Sequence, residues 1–64
     1  MKRYKTIEII RMLKSDGWYL DRTNGDHRQF KHPTKPGTVT IRGKDSDVLS
    51  QFLLNSIFKQ AGWR

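Results

Sequence analysis

Residues 18–42 read WYLDRTNGDHRQFKHPTKPGTVTIR, a segment in which three short runs alternate between apolar and polar side chains. Such alternation is typical of strands that bury one face, and the runs cover residues 18–22, 27–32 and 38–42. The pair Asn24-Gly25 predicts a tight hairpin turn. Pro33 and Pro36 end the second strand, because proline cannot donate a hydrogen bond to a sheet ladder. The segment therefore predicts a three-stranded antiparallel meander.

Helical spacing of apolar residues flanks the strands on both sides. Thr6 is placed to cap a helix over residues 7–15. A second helix is predicted to begin at Val48 or Ser50 and to end at Gln60. The predicted fold is therefore α+β, in the order α-β-β-β-α, with two helices covering one face of the antiparallel sheet.

The charge balance is strongly basic. The 64 residues include 13 Lys and Arg against 6 Asp and Glu, a formal net charge of +7. A chain of this length is expected to form one domain, residues 1–64, with a small core and a site on its surface. The charge favours a polyanionic partner, and nucleic acid is the leading class. A chain of this charge also attracts an anionic membrane surface or an acidic protein.

Several function classes are excluded by what the sequence lacks. There is no cysteine, which excludes disulfides, thiol catalysis and cysteine-ligated zinc. No run approaches the ~18 apolar residues of a membrane span. The basic N-terminus leads into a charged amphipathic segment rather than the apolar stretch of a signal peptide. We therefore expect a cytoplasmic protein that has no membrane association and no cofactor.

The hairpin register determines which side chains face solvent together. A two-residue turn at Asn24-Gly25 puts Trp18 and Leu20 on the face opposite Phe30. A three-residue loop over residues 23–25 puts these three apolar side chains on one face. Burial favours the three-residue loop, because a slip of one residue moves every side chain to the opposite face. The solvent face is then predicted to carry Tyr19, Asp21, His27, Gln29 and Lys31.

His27 is the strongest candidate for chemistry. It follows the turn and is flanked by the cations Arg22, Arg28 and Lys31. Imidazole titrates near neutral pH and can transfer protons in phosphodiester chemistry, and neighbouring cations stabilise charge that develops on a phosphate. From composition alone, an exposed histidine on a polar strand face is the commoner explanation.

The other candidate residues have more ordinary explanations. His32 lies on the opposite strand face from His27 and is predicted to pack at the strand end. Two histidines on opposite faces make a poor metal pair, and no acidic cluster completes a cation site, so no metal is expected. Trp18 and Trp63 are predicted core residues, with Trp63 folded back on the second helix. Tyr19 is predicted on the His27 face, where it is suited to stacking on a base.

The run Gly25-Asp26-His27-Arg28-Gln29-Phe30, followed by His32-Pro33, resembles the Gly-Ser-His-x-x-aromatic-x-His-Pro signature of the HicA (YcfA-like) toxin family. Further segments are similar to that family at residues 14–18, 39–41 with 43–44, and 54–62. Together they span nearly the whole chain in the right order. The resemblance implies a fold like a double-stranded-RNA-binding domain and an mRNA-cleaving toxin (an mRNA interferase) that arrests translation. It also implies that His27 is catalytic and that a HicB-type antitoxin binds the toxin and blocks the site.

Three positions depart from the family pattern. Asp26 stands where the family commonly has serine, and it places a negative charge beside the site. Arg42 stands where many members have proline or a small residue. Gln51-Phe52 replaces a more usual Gly-Thr helix start.

We therefore expect a metal-independent endoribonuclease in which His27 moves a proton. Arg22, Arg28 and Lys31 are expected to hold the phosphate, and Tyr19 is expected to contact a base. The expected partners are mRNA and a HicB-type antitoxin, which forms a hetero-oligomeric complex with the toxin. Two alternatives stay open: a non-catalytic RNA-binding module that uses the same face, and an antitoxin-binding protein whose ribonuclease activity has lapsed.

Overall fold

The computed structural model describes residues 3–64. It contains α1 (Thr6–Ser15), β1 (Tyr19–Asn24), β2 (His27–Lys31), β3 (Val39–Arg42) and α2 (Gln51–Gln60). The strands form one antiparallel sheet in the order β1-β2-β3. Both helices pack on the face of the sheet that carries Phe30, Val39 and Ile41. The predicted α-β-β-β-α order and the α+β fold, similar to a double-stranded-RNA-binding domain, are confirmed.

One apolar cluster joins the two helices to the sheet. Its largest members, Trp18 and Phe30, are only 2% and 1% exposed, so the predicted core position of Trp18 is confirmed. The remaining members are Ile9, Ile10, Leu13, Val39, Ile41, Leu49, Leu54, Ile57 and Ala61.

α1 begins one residue earlier than predicted. Lys5 is the N-cap residue, and its backbone N–H donates to a carboxylate oxygen of Glu8 at 2.9 Å. Thr6 is the first residue of the helix, and its backbone N–H and its hydroxyl both donate to the carbonyl of Asp47, at 2.8 and 3.3 Å. The Thr6 side chain is fully buried. The start of the first helix is thus tied to the segment that leads into the second.

α2 begins at the later of the two predicted starts. The Ser50 hydroxyl accepts a hydrogen bond from the backbone N–H of Leu53 at 3.2 Å, the usual contact of a serine cap. Val48 lies outside the helix, in an isolated antiparallel bridge with Lys5. At the other end, the Trp63 backbone N–H donates to the Phe58 carbonyl at 2.8 Å. The Trp63 and Phe58 rings make an edge contact with centroids 5.3 Å apart, which confirms that Trp63 folds back on the helix.

The predicted hairpin register is wrong. Asn24 pairs with His27, so the turn residues are Gly25 and Asp26 rather than a loop over residues 23–25. Gly25 has a φ of 64°, which suits the first central position of a type II′ turn, where glycine is favoured. Glycine therefore opens the turn, and Asn24 is the last residue of β1.

A bulge between Leu20 and Arg22 restores part of the predicted arrangement. Beyond the bulge, Leu20 pairs with Phe30 and Tyr19 pairs with Lys31. The extra residue on β1 shifts the pairing by one. This shift returns Tyr19 and Leu20 to the faces that were predicted, which the tighter turn alone would have exchanged. Tyr19 and Lys31 therefore share the face of His27, as predicted, although by a different pairing.

β1 is not covered by the helices. All of its residues are exposed, and Leu20 is 47% exposed although it lies opposite the buried Phe30. The helices contact chiefly β3. The predicted register depends on the burial of Leu20. Because no helix covers β1, burial does not select the register, and the turn and the bulge determine the pairing instead.

One carboxylate oxygen of Asp16 joins four parts of the chain. Asp16 Oδ2 accepts from Lys35 Nζ at 2.6 Å, from Trp18 Nε1 at 3.0 Å and from Trp63 Nε1 at 3.1 Å. Lys35 Nζ also donates to the carbonyl of Ala61 at 3.1 Å. The end of α1, the start of β1, the connection between β2 and β3, and the C-terminal turn therefore meet at a single acceptor.

Acidification is expected to remove the contribution of Asp16 to stability. Lys35 and then the indole N–H of Trp63 hold the pKa of Asp16 below the ordinary value of 3.8. Burial opposes them less strongly, and the indole N–H of Trp18 adds a still smaller lowering. A lowered folded-state pKa stabilises the fold above the unfolded-state value, and this stabilisation is lost as the pH falls through the folded-state value. Thermal unfolding at pH 7 should therefore give a lower melting temperature for Asp16→Asn than for the unaltered chain. The difference should shrink below pH 3.8, and a difference that is constant with pH would contradict the assignment.

Candidate functional site

The side of the sheet that faces away from the helices is termed here the outer sheet face. Strand pairing assigns its members, because directly paired residues project to the same side and neighbours in a strand alternate. The outer sheet face carries Tyr19, Asp21, Arg22, Asn24, His27, Gln29, Lys31, Thr40 and Arg42. No helix covers these side chains, so a large substrate has direct access to them.

His27 is the first residue of β2, directly after the turn. It pairs with Asn24 on β1 and with Arg42 on β3, and not with Asp21, which was expected beside it. Its side chain is 46% exposed, and Nε2 lies 3.6 Å from Asp26 Oδ1, beyond hydrogen-bond distance. The imidazole is therefore accessible, with one carboxylate beside it and a guanidinium on the neighbouring strand.

Arg42 is the cation nearest to His27 in the strand pairing. The Gly43 N–H donates to the Asp26 carbonyl at 3.2 Å, and bonded and non-bonded pairs alternate along an antiparallel ladder. His27 and Arg42 therefore form a non-hydrogen-bonded pair, in which the side chains are closest, with Cβ atoms about 4.5–5.5 Å apart. Sequence reasoning assigned Arg42 no role, because the register between β2 and β3 is not readable across the connection of residues 32–38.

Lys31 and Arg22 form a second cationic group, and Asp21 lies between them. Asp21 Oδ2 is 3.9 Å from Lys31 Nζ and 3.8 Å from Arg22 Nε. The Arg22 side chain is 72% exposed and that of Lys31 is 50% exposed, and ion pairs this open to water are weak. Both cations are therefore held only weakly by Asp21. Arg22 is on the outer sheet face through its pairing with Gln29, and the bulge allows the adjacent Asp21 to face the same side.

Tyr19 is half exposed and lies opposite Lys31. His27 and Lys31 are four residues apart on β2, about 13 Å at the rise of a strand. Tyr19 and Lys31 therefore lie at one end of the outer sheet face, and His27 lies at the other end of β2.

Arg28 lies on the opposite face of β2 from His27. Its NH1 atom lies 2.8 Å from Asp45 Oδ1, and its NH2 atom donates to the Gly43 carbonyl at 3.2 Å. The side chain is only 23% exposed. The structure thus brings Tyr19, Arg22, His27 and Lys31 to one face and places Arg28 outside this group, where it holds the loop that follows β3.

His32 packs at the end of β2, as predicted. Its Nε2 lies 2.7 Å from the Asp16 carbonyl, and its Nδ1 accepts from the backbone N–H groups of Thr34 and Lys35 at 3.1 Å each. The ring makes an edge contact with Trp18, with centroids 5.2 Å apart. Since Nδ1 accepts from two amides, Nε2 carries the proton and donates to Asp16. His32 is a structural histidine that orders the connection between β2 and β3.

Neither a metal cluster nor a membrane helix is found in residues 3–64. No group of three or more histidine and acidic side chains converges there. The helices described are also too short and too polar to cross a bilayer.

Fold and site together define a class: a small, basic α+β domain with a fold like that of a double-stranded-RNA-binding domain, and with a histidine among cations on its open sheet face. A family model described as "HicA toxin of bacterial toxin-antitoxin" matches residues 7–63. The chain belongs to the HicA toxin family and is a toxin of a toxin–antitoxin system. Membership implies, in general terms, a ribonuclease type of toxin, an RNA substrate and a cognate antitoxin. A search of curated proteins gave no match.

Proposed function

We propose that this toxin is an endoribonuclease that cleaves mRNA in the cytoplasm, arrests translation, and is neutralised by a HicB-type antitoxin. The observation that carries the proposal is the position of His27 on the outer sheet face, accessible and directly opposite Arg42. A site of this kind suits a single RNA strand laid across the sheet. The high net positive charge supplies the long-range attraction.

In the proposed reaction the ribose 2′-oxygen attacks the adjacent phosphorus, and the bond from phosphorus to the 5′-oxygen of the next nucleotide breaks. His27 takes the proton of the 2′-hydroxyl as a general base while water protonates the leaving 5′-oxygen, or it gives a proton to the leaving oxygen as a general acid while water takes the 2′-hydroxyl proton. Arg42 stabilises the charge that develops on the phosphate. No metal takes part in this mechanism.

Arg22, Lys31 and Tyr19 serve substrate binding in this proposal. Arg22 and Lys31 exchange their weak pairs with Asp21 for a phosphate that flanks the cleaved one, and Tyr19 stacks on a neighbouring base. Arg28, expected to contact RNA, is engaged by Asp45 and Gly43. Its proposed role is to hold the loop that follows Arg42.

Asp26 favours a second candidate function, antitoxin binding by a chain whose ribonuclease activity has lapsed. Its carboxylate lies 3.6 Å from the imidazole of His27, where it repels a phosphate. Asp26→Ser separates the candidates, because it restores the residue commonly found in the family. An active enzyme gains activity on this substitution or keeps it, whereas a lapsed enzyme has no cleavage in the unaltered chain and acquires it only in the variant.

The proposed reaction is tested by the chemistry of its products. Purified toxin is incubated with end-labelled RNA in the presence of EDTA, and the fragment ends are identified by mass spectrometry. Attack by the 2′-hydroxyl leaves 2′,3′-cyclic phosphate and 5′-hydroxyl ends, and cleavage should continue without a divalent metal. Fragments with 5′-phosphate ends, or activity that returns only when Mg²⁺ is added, would exclude this mechanism.

A further inference from the structure

The free edge of β3 lies beside an exposed apolar strip of α2. β3 is an outer strand of the sheet in the order β1-β2-β3. Its residues Arg42 and Thr40 are in non-hydrogen-bonded pairs with β2, by the alternation established above from the Gly43–Asp26 bond. Their N–H and C=O groups therefore point away from β2. Groups of this kind form a template for an additional strand.

A groove of about 290 Å³ runs along this edge. Thr40 and Arg42 line one wall. The other wall is formed by Leu49, which lies two residues before α2, and by Phe52, Leu53 and Ile57 of the helix. Phe52 is 79% exposed and Leu53 is 37% exposed. An added strand projects alternate side chains toward this apolar wall.

The charges around the groove favour an acidic occupant. Arg42 lines the groove itself, and a neighbouring depression shares Phe52 and is lined by Lys59 and Arg64. No acidic residue is among the described residues that line either depression. A second copy of the chain brings the same cations and a further +7 charges, so self-pairing at this edge is opposed by electrostatic repulsion.

We propose that the β3 edge receives an extended segment of an acidic partner protein, which joins the sheet as a fourth strand. Apolar residues at alternate positions of this segment contact Phe52 and Leu53, and acidic residues at the intervening positions pair with Arg42 on the outer sheet face. This recognition mode uses main-chain hydrogen bonds for affinity and side-chain pockets for specificity.

The added strand also acts on the site next to it, a consequence that rests on the proposed function. Arg42 lies between the added strand and His27, so a carboxylate that pairs with Arg42 neutralises the cation assigned to the phosphate. A partner bound at this edge therefore weakens RNA binding without covering His27. Strand addition itself is independent of whether the toxin cleaves RNA.

The experiment titrates ¹⁵N-labelled toxin with a blocked octapeptide of alternating valine and glutamate, and with the same peptide carrying lysine for glutamate. The acidic peptide should shift the amide signals of Thr40 and Arg42, slow their exchange with solvent, and bind at least about tenfold more tightly than the basic peptide. Thr40→Pro removes an outward N–H without removing a bond to β2, and should weaken binding by about tenfold. Thr23→Pro is the matched control, since Thr23 lies on the free edge of β1, and it should bind as the unaltered chain does.

Three outcomes overturn the proposal. The acidic peptide fails to protect Thr40 and Arg42, or it protects the β1 edge and loses affinity in Thr23→Pro instead. Alternatively, a single-stranded RNA oligonucleotide protects the same two amides to the same extent, which makes the groove an RNA site. The test measures peptide affinity and the protection of amides, not RNA cleavage. It therefore remains valid even if the proposed ribonuclease activity is wrong.

Discussion

Replacing His27 by alanine is expected to lower the rate of RNA cleavage by about 10²–10⁴-fold, the usual contribution of a positioned general acid or base. The fold should survive, because the His27 side chain is 46% exposed and substitutions at such positions usually change stability by about 0.5 kcal/mol or less. RNA affinity should fall only slightly, since Arg22, Lys31 and Arg42 remain. Cleavage is measured on labelled RNA, affinity by fluorescence anisotropy, and toxicity by growth after induction.

His27→Gln is the companion variant, because glutamine keeps a polar side chain but does not transfer protons near neutral pH. It should be as inactive as His27→Ala. Arg11→Ala, which truncates an exposed side chain of α1, controls for the truncation of a surface residue and should retain cleavage. A folded His27→Ala variant that cleaves RNA and slows growth at the unaltered rate would falsify the assignment of His27 as the catalytic residue.

Replacing Trp18 by alanine is expected to unfold most of the chain at 25 °C. Trp18 is 2% exposed and is the largest fully buried side chain, and truncation of a buried aromatic to alanine typically costs about 3–5 kcal/mol. A core this small rarely supplies more than about 3–5 kcal/mol in total. The variant also loses the indole N–H that donates to Asp16 at 3.0 Å. Circular dichroism and the dispersion of amide signals report the loss of structure.

Phe52→Ala is the matched control for Trp18→Ala. It also truncates an aromatic side chain to alanine, but Phe52 is 79% exposed, so its free energy of unfolding should change by about 0.5 kcal/mol or less. If the two variants unfold at similar temperatures, the core is not organised around Trp18 as described.

The sequence was sufficient for the elements and their order because each rests on local information. The period of apolar residues predicts the helices and strands, and the serine at position 50 and the prolines after β2 mark boundaries. That Tyr19 shares the face of His27 was also predicted, but through two errors that cancel. The turn uses Gly25 and Asp26 rather than residues 23–25, and the bulge near Asp21, which no residue pattern marks, restores the parity.

Which side chains share the site with His27 depends on contacts between distant segments. Such contacts leave no local pattern in the sequence, so they were not predicted. Arg42 reaches His27 only through the pairing of β2 with β3. Arg28 was assigned to RNA from its position beside His27 in the sequence, yet neighbours in a strand face opposite sides. Its partner Asp45 lies in a loop whose path the sequence does not specify. The role of Asp16 was not predicted, because two of its donors, Lys35 and Trp63, lie 19 and 47 residues away along the chain.

The acceptor at Asp16 has a consequence for the rates of folding and unfolding. Its donors Trp18, Lys35 and Trp63 lie 2, 19 and 47 residues away along the chain. The two distant contacts close long loops, and such contacts tend to form after the local structure that leads to the transition state. Interactions that are absent from the transition state slow unfolding and leave the folding rate nearly unchanged. We therefore expect Asp16 to lengthen the time for which a folded toxin molecule persists, and to have little influence on how quickly a newly made chain folds.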